Sequence, residues 1–167
     1  RSLNNFGLVE FNQGNYEQAQ KFFKESISIK RELGDKRGIS NTLSNMGNIA
    51  INQGDYEGAQ KFLEESLSIR RELGDKNGIA GSLNSLGFMS YNQGKYEQAK
   101  RFFEESLSLR RELGDKGGIA VSIHNLGLLF YNNGNYQEAQ KLNEESLALR
   151  KELGDKLGIA ESLNNLG

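Results

Sequence analysis

Serine recurs at positions 26, 66, 106 and 146, at forty-residue intervals. A row of hydroxyls could supply nucleophiles if a base stood beside each one. No histidine keeps that interval, because His124 is the only histidine in the 167 residues. With cysteine absent as well, the chain has no ligand set for a multi-histidine or thiolate metal site. The pairs Glu64-Glu65, Glu104-Glu105 and Glu144-Glu145 are adjacent in sequence, so on a helix their side chains diverge by ~100° and cannot close on one ion. Gly114-Asp115-Lys116-Gly117-Gly118 has the look of a phosphate loop. It lacks the required glycine spacing and the following Ser or Thr, and its relatives at 34–38 and 74–78 mark it as a turn. Catalysis needs unlike residues converging on one place, whereas these residues are like and spread along a line. The expectation is a protein without catalytic residues, metal or cofactor.

The same interval governs the whole chain. Glycines stand at 7, 47, 87, 127 and 167, and residues 41–80 match residues 81–120 at 24 of 40 positions. A period of this length predicts a solenoid, in which each unit buries its apolar face only by stacking on the next. The reading is one array over 1–167, with repeats 1–40, 41–80, 81–120 and 121–160 and a partial fifth at 161–167. Within a unit, Asp35 is a natural helix N-cap, and Ile39, Leu43, Met46 and Ala50 follow at helical spacing. Gly54 ends that helix. Asp55 starts a second, whose stripe is Ala59, Phe62, Leu63, Ser66, Leu67 and Ile69, and Gly74 closes it. Very short turns make the two helices an antiparallel pair, and no proline interrupts them. Asn15, Asp55 and Asn135 are expected to cap the second helices, and Lys95 cannot.

Composition excludes several partners. With 21 basic and 22 acidic side chains the net charge is −1, so no global field gathers nucleic acid or an anionic membrane. The basic pairs Lys30-Arg31, Arg70-Arg71, Arg110-Arg111 and Arg150-Lys151 lie at helix C-termini, where cations complement the dipole. No apolar run approaches the ~18–20 residues of a membrane span and no signal peptide is evident. The lack of cysteine suits a reducing compartment, and the expectation is a cytoplasmic protein.

Leu43, Met46, Gly47, Gly54, Tyr56, Ala59, Phe62 and Leu63 resemble the tetratricopeptide repeat signature: a large residue, Leu-Gly, then Gly-x-Tyr-x-x-Ala and an aromatic. The family unit is commonly 34 residues and often ends in proline. Here six more residues and an Arg-Arg-Glu-Leu-Gly-Asp-Lys extension stand in its place. That variant is similar to the repeats of Pins/LGN-type spindle-orientation adaptors and of many bacterial arrays. The resemblance implies an all-α fold of antiparallel helix pairs stacked as a right-handed superhelical solenoid of about nine helices. It also implies a protein- or peptide-binding scaffold whose concave face is lined by the first helix of each repeat.

Carried over position by position, that lining is Asn4, Leu8, Phe11 and Asn12; Asn41, Ser44, Asn48, Ile51 and Asn52; Asn84, Phe88, Tyr91 and Asn92; His124, Leu128, Tyr131 and Asn132; then Asn164. It holds almost no charge, and asparagine recurs at 12, 52, 92 and 132. An amide offers the donor and the acceptor that a peptide backbone matches. Neighbouring helices ~8–10 Å apart correspond to about three residues of extended chain. A row of asparagines would then grip a peptide at every third residue. They would equally well bond helix-end carbonyls near Gly14, Gly54, Gly94 and Gly134, and both readings stand. His124 is expected to be a partly exposed groove residue.

The remaining repeated positions read as packing. Gly47 and Ala59 lack bulk where the helices of a pair cross, Ser66 lacks it against the next repeat, and Tyr16, Tyr56, Tyr96 and Tyr136 wedge the helix turn. The partner is expected to be an extended protein segment with apolar anchors at Phe88, Tyr91, Leu128 and Tyr131, and not an acidic carboxy-terminal tail. The alternative is a structural spacer or an array assembling end to end, through Leu3 and Phe6 at one end and Ile159, Leu163 and Leu166 at the other. The chain reads as a piece of a longer array, with no nucleic-acid or membrane partner.

Overall fold

The structure is a computed structural model and describes residues 2–164, apart from the side chains of residues 161, 163 and 164. Among these residues there are nine helices and no strand: α1 Leu3–Asn12, α2 Tyr16–Glu32, α3 Lys36–Asn52, α4 Tyr56–Glu72, α5 Lys76–Asn92, α6 Tyr96–Leu113, α7 Lys116–Asn132, α8 Tyr136–Leu153 and α9 Lys156–Asn164. The expectations for Leu166 and the side chains of Leu163 and Asn164 lie outside the described residues. The chain forms two compact units, Arg1–Gly78 and Ile79–Gly167.

Each unit has its own core, and each core has the same logic. In the first, Ala19, Phe23 and Ile27 of α2 meet Ile39, Leu43, Met46 and Ile49 of α3, with Leu8, Phe11, Phe62 and Ile69 against them. In the second, Ala99, Phe103 and Leu107 of α6 meet Ile123, Leu126 and Leu129 of α7. The second helix of one pair is thus buried by the first helix of the next, which is why a lone pair could not hold its apolar surface out of water.

The small residues of the motif sit where helices cross. A Cβ on Gly47 would stand 2.6 Å from Leu63 Cγ, so any larger side chain would push α3 and α4 apart. The serines reach both neighbours: the Ser106 hydroxyl lies 3.3 Å from that of Ser122 on α7 of the next pair, and Ser66 also bonds within its own pair. Its hydroxyl donates to the Ser40 carbonyl at 2.8 Å and lies 2.9 Å from the Ser44 hydroxyl, both on α3 of its own pair. Ser106 and Ser146 likewise donate to the carbonyls of Ala80 and Ala120, at 2.9 and 2.8 Å. A buried hydroxyl needs a partner, and the facing helix supplies a carbonyl.

The turns are made by one residue performing two tasks. After Gly34, at φ 67°, the Asp35 amide donates back to the Lys30 carbonyl at 2.9 Å. Its carboxylate accepts from the Gly38 amide at 2.8 Å and caps α3. Asp55, Asp75, Asp115 and Asp155 accept in the same way from Gly58, Gly78, Gly118 and Gly158. Asn15 and Asn135 do not cap, against expectation; the Asn15 amide donates to Glu10 at 2.8 Å instead. The difference lies three residues on. A Cβ on Gly58 would stand 2.9 Å from the Asp55 carboxyl carbon, and positions 18, 98 and 138 carry Gln, Gln and Glu. Lys95 makes no cap bond, as its chemistry requires.

Candidate peptide-binding face

The expected lining is placed on the first helices, α1, α3, α5 and α7, but the structure does not use all of it alike. In the first unit Asn12, Asn48 and Asn52 are exposed. Leu8 and Phe11 lean on the core, and Asn4 Oδ1 accepts from the Thr42 hydroxyl at 3.1 Å. Ile51 is 5% exposed, which corrects its assignment to the lining. The corresponding residues 11, 91 and 131 are Phe, Tyr and Tyr, whose rings extend further than an aliphatic branch.

In the second unit the face has a definite geometry. The Asn125 amide donates to Asn84 Oδ1 at 2.8 Å, joining α7 to α5. Further along, the Asn132 amide donates to the Tyr91 hydroxyl and, at 3.1 Å, to the carbonyl of Leu128. Between these two links lie Phe88 and Leu128. The Phe88 and Tyr91 rings are stacked, centroids 6.4 Å apart and planes at 17°, and Tyr96 leans on Tyr91 at 5.8 Å. Tyr131 meets Tyr136 edge to face at 5.2 Å, and both rings are more than half exposed. Tyr96 and Tyr136 therefore pack on the aromatic residue five positions earlier and stay partly open to solvent. Burial raises the Tyr91 hydroxyl above its ordinary pKa, an effect the Asn132 bond partly opposes, so the phenol stays protonated at neutral pH. Asn92 is exposed.

His124 is 8% exposed, which corrects the partly exposed groove position. It falls on the stripe of Ala120, Ile123 and Gly127 that α7 turns inward. No formally charged side chain occurs between Asn77 and Gly94 or between Gly117 and Gln137. Among the described residues no group of three or more His, Cys, Asp or Glu could hold a metal ion, and no helix is long and apolar enough to cross a membrane.

The basic pairs turn out to have a task that dipole compensation missed. Arg70 is 8% and Arg150 3% exposed. Arg70 Nη1 donates to the Gly78 carbonyl at 2.6 Å and Nη2 to Asn41 Oδ1 at 3.0 Å. Arg150 reaches the Gly158 carbonyl, Lys30 the Gly38 carbonyl at 3.2 Å, and Arg110 the Asp115 carboxylate. The second members pair across repeats, Arg31 with Glu65 at 3.0 Å and Arg111 with Glu145 at 4.0 Å. The signal was in the sequence as a constant eight-residue step from each basic residue to a glycine.

No curated protein sequence matches this chain. Solved structures do. BtubC (BKLC) from P. vanneervenii is similar at 22% identity, covering 98% of this chain and 68% of its own, with a TM-score of 0.86. Aspartyl phosphate phosphatase F from Bacillus subtilis is 16% identical over 96% of this chain and 42% of its own, at 0.87. NprR in complex with its cognate peptide NprX is 22% identical over 90% of this chain, at 0.75, and the chain spans 44% of its length. At such identities the likeness shows the fold alone. The tetratricopeptide repeat family profile matches residues 1–72, 78–152 and 118–167. With the period, the helix pairs and the profile in agreement, the chain belongs to the tetratricopeptide repeat family.

Proposed function

We propose that this chain is a non-catalytic scaffold that binds an extended protein segment on the face of its first helices. The observation that carries it is the charge-free aromatic face of α5 and α7, where Phe88 and Tyr131 are 39% and 55% exposed. Exposed apolar surface of this kind, on a chain whose second helices are densely charged, marks an interaction site. That NprR, of like fold, is solved with a peptide supports the reading. A reducing, cytoplasmic setting accords with the absence of cysteine.

Selection from a random peptide library, followed by calorimetric titration of the selected peptides, tests it. Tyr131→Ala should weaken binding by about tenfold or more, the loss of one buried anchor, while Lys61→Ala on α4 should leave it unchanged. A spacer without a ligand would yield no selected peptide, or peptides indifferent to Tyr131.

End-to-end association is favoured by a separate observation. Phe6 and Val9 of α1 are 42% and 50% exposed, whereas their counterparts Met46 and Ile49 are each 5% exposed and lie in the core with α2. A second copy covering α1 would make the light-scattering mass rise with concentration, and Phe6→Lys with Val9→Lys should abolish the rise. A constant monomer mass for the unaltered chain would exclude it.

A further inference from the structure

The turn that ends α7 holds a reactive pair that its counterparts lack. The residue before the turn glycine is Gln13, Gln53 and Gln93 in the first three repeats and Asn133 in the fourth. An asparagine followed by glycine can react with its own backbone: the glycine nitrogen attacks the side-chain amide carbon and closes a five-membered ring. Glycine permits this because it has no Cβ to shield its nitrogen or to restrict the peptide. A glutamine would have to close a six-membered ring, which forms far less readily. The 167 residues contain one other asparagine-glycine pair, Asn77-Gly78.

The two pairs stand in opposite surroundings. Asn77 lies in the first turn of α5. The Gly78 amide, which would be the nucleophile, donates to the Asp75 carboxylate at 3.0 Å, and the Gly78 carbonyl accepts from Arg70 at 2.6 Å. A Cβ on Gly78 would stand 2.5 Å from Asp75 Oδ2 and 2.7 Å from Arg70 Cδ, so the glycine is enclosed. Ring closure requires the peptide after the asparagine to rotate out of its helical ψ. At Asn77 that rotation breaks the N-cap and the arginine bond together, and both involve a charged group.

Asn133 follows the last residue of α7, with ψ 4°. Both it and Gly134 are exposed. Gly134 has φ 77°, and a Cβ there would meet nothing within 4 Å. The bonds that resist rotation are two neutral backbone ones, from the Gly134 amide to the Tyr131 carbonyl at 3.0 Å and from the Asn135 amide to the Phe130 carbonyl at 2.9 Å. A helix end held in this way opens at low cost.

We infer that Asn133 is a self-modification site. The Gly134 nitrogen attacks Asn133 Cγ, the Cγ–Nδ2 bond breaks, and ammonia leaves with the proton of the Gly134 amide. Water then opens the ring at either carbonyl, giving an aspartyl residue or an isoaspartyl one in which the chain runs through Cβ. No oxidant and no enzyme is needed. Either product sets a carboxylate in the stretch from Gly117 to Gln137, which has no charged side chain, and at the negative end of the α7 dipole. The isoaspartyl form also adds a backbone atom to the turn that brings Tyr136 against Tyr131 at 5.2 Å. The exposed aromatic surface therefore changes with the age of the molecule.

The test is incubation of the full chain in mildly alkaline buffer. Mass spectrometry follows tryptic peptides 77–95 and 117–141, and enzymatic methylation counts isoaspartate. Residue 133 should convert about tenfold or more faster than residue 77, the ratio that one or two hydrogen bonds in the opening step would give. In urea that unfolds the chain the two should convert at similar rates, because only the dipeptide then matters. Asn133→Gln, which installs the residue of the other repeats, should keep the helical circular dichroism and remove most of the isoaspartate. Equal rates in the folded chain, or faster loss of Asn77, would overturn the inference. So would a rate difference that persists in urea, or isoaspartate undiminished by Asn133→Gln.

Discussion

Arg70, in the last turn of α4, donates to the carbonyl of Gly78 in the first turn of α5, at 2.6 Å. The glycine has to be there. A Cβ at position 78 would stand 2.7 Å from Arg70 Cδ, so the guanidinium can cross the start of the next helix only above a bare Cα. The contact ties the last turn of α4 to the turn that follows it. Burial disfavours the charged form of Arg70, and the Asp75 charge partly restores it.

Arg70→Ala should lower the unfolding free energy by about 2–3 kcal/mol, since bonds to a charged donor are lost and part-buried acceptors are stranded. Arg70→Lys should lose about half as much, because Lys30 does the same work in the first pair, reaching both the Gly38 carbonyl and the Thr42 hydroxyl. Urea unfolding with an unchanged m-value would measure both. Equal losses in the two variants would show that the bonds to Gly78 and Asn41 matter less than the stem.

How much of this was legible in the sequence differs by residue. The helices and the core stripe were, because Leu43, Met46, Leu63 and their counterparts recur at a period that only helix pairs satisfy. The Asp-x-x-Gly caps were also written there five times, yet residue type alone also nominates Asn15 and Asn135, which lack the glycine three residues on. The face was less legible. Nothing in the asparagine spacing tells that Asn132 turns to Tyr91, a residue 41 positions away, or that Ile51 is too short to stand proud of its neighbours. Those outcomes depend on which side chain reaches a partner first, and that is a matter of three-dimensional distance.

Asn143 is the core's one departure from its repeats that predicts a gain. Phe23, Leu63 and Phe103 occupy its position in the other pairs, each 1% exposed or less. Asn143 is 2% exposed and its Oδ1 has no hydrogen-bond partner. It faces Gly127, where a Cβ would stand 2.7 Å from that oxygen. Burying an unsatisfied amide costs about 1–3 kcal/mol, so Asn143→Leu should raise stability by about that amount. An unchanged or lower melting temperature in calorimetry would mean that the amide is satisfied in solution.

Asp115 gives the acid limb of the stability curve. The Gly118 amide bond, chiefly, holds its carboxyl below the ordinary 3.8; burial opposes it, and the bond and charge of Arg110 add to the lowering. The folded state therefore binds its proton less readily than the unfolded chain. The stabilisation is fully present above the ordinary value and is lost as pH falls through the lowered folded value. Melting temperatures between pH 5 and pH 2.5 should fall less steeply for Asp115→Asn than for the unaltered chain. Parallel curves would remove Asp115 from the account.

The caps make the last prediction. Asp55 accepts from the Gly58 amide at 2.9 Å, so Asp55→Ala should cost about 1 kcal/mol. Asn15, which bonds Glu10 and leaves its helix uncapped, should tolerate Asn15→Ala at a cost of only a few tenths of a kcal/mol. Lys95→Asp is the informative third case. It replaces a cation at the positive end of α6 with an anion, worth about 0.3–1 kcal/mol, but Gln98 carries the Cβ that the capping positions lack. Its gain should stay within that dipole range and increase with falling salt, since screening weakens charge–dipole attraction. A gain of about 2 kcal/mol, insensitive to salt, would show that a full cap forms beside Gln98 and that the glycine three residues on is not its condition.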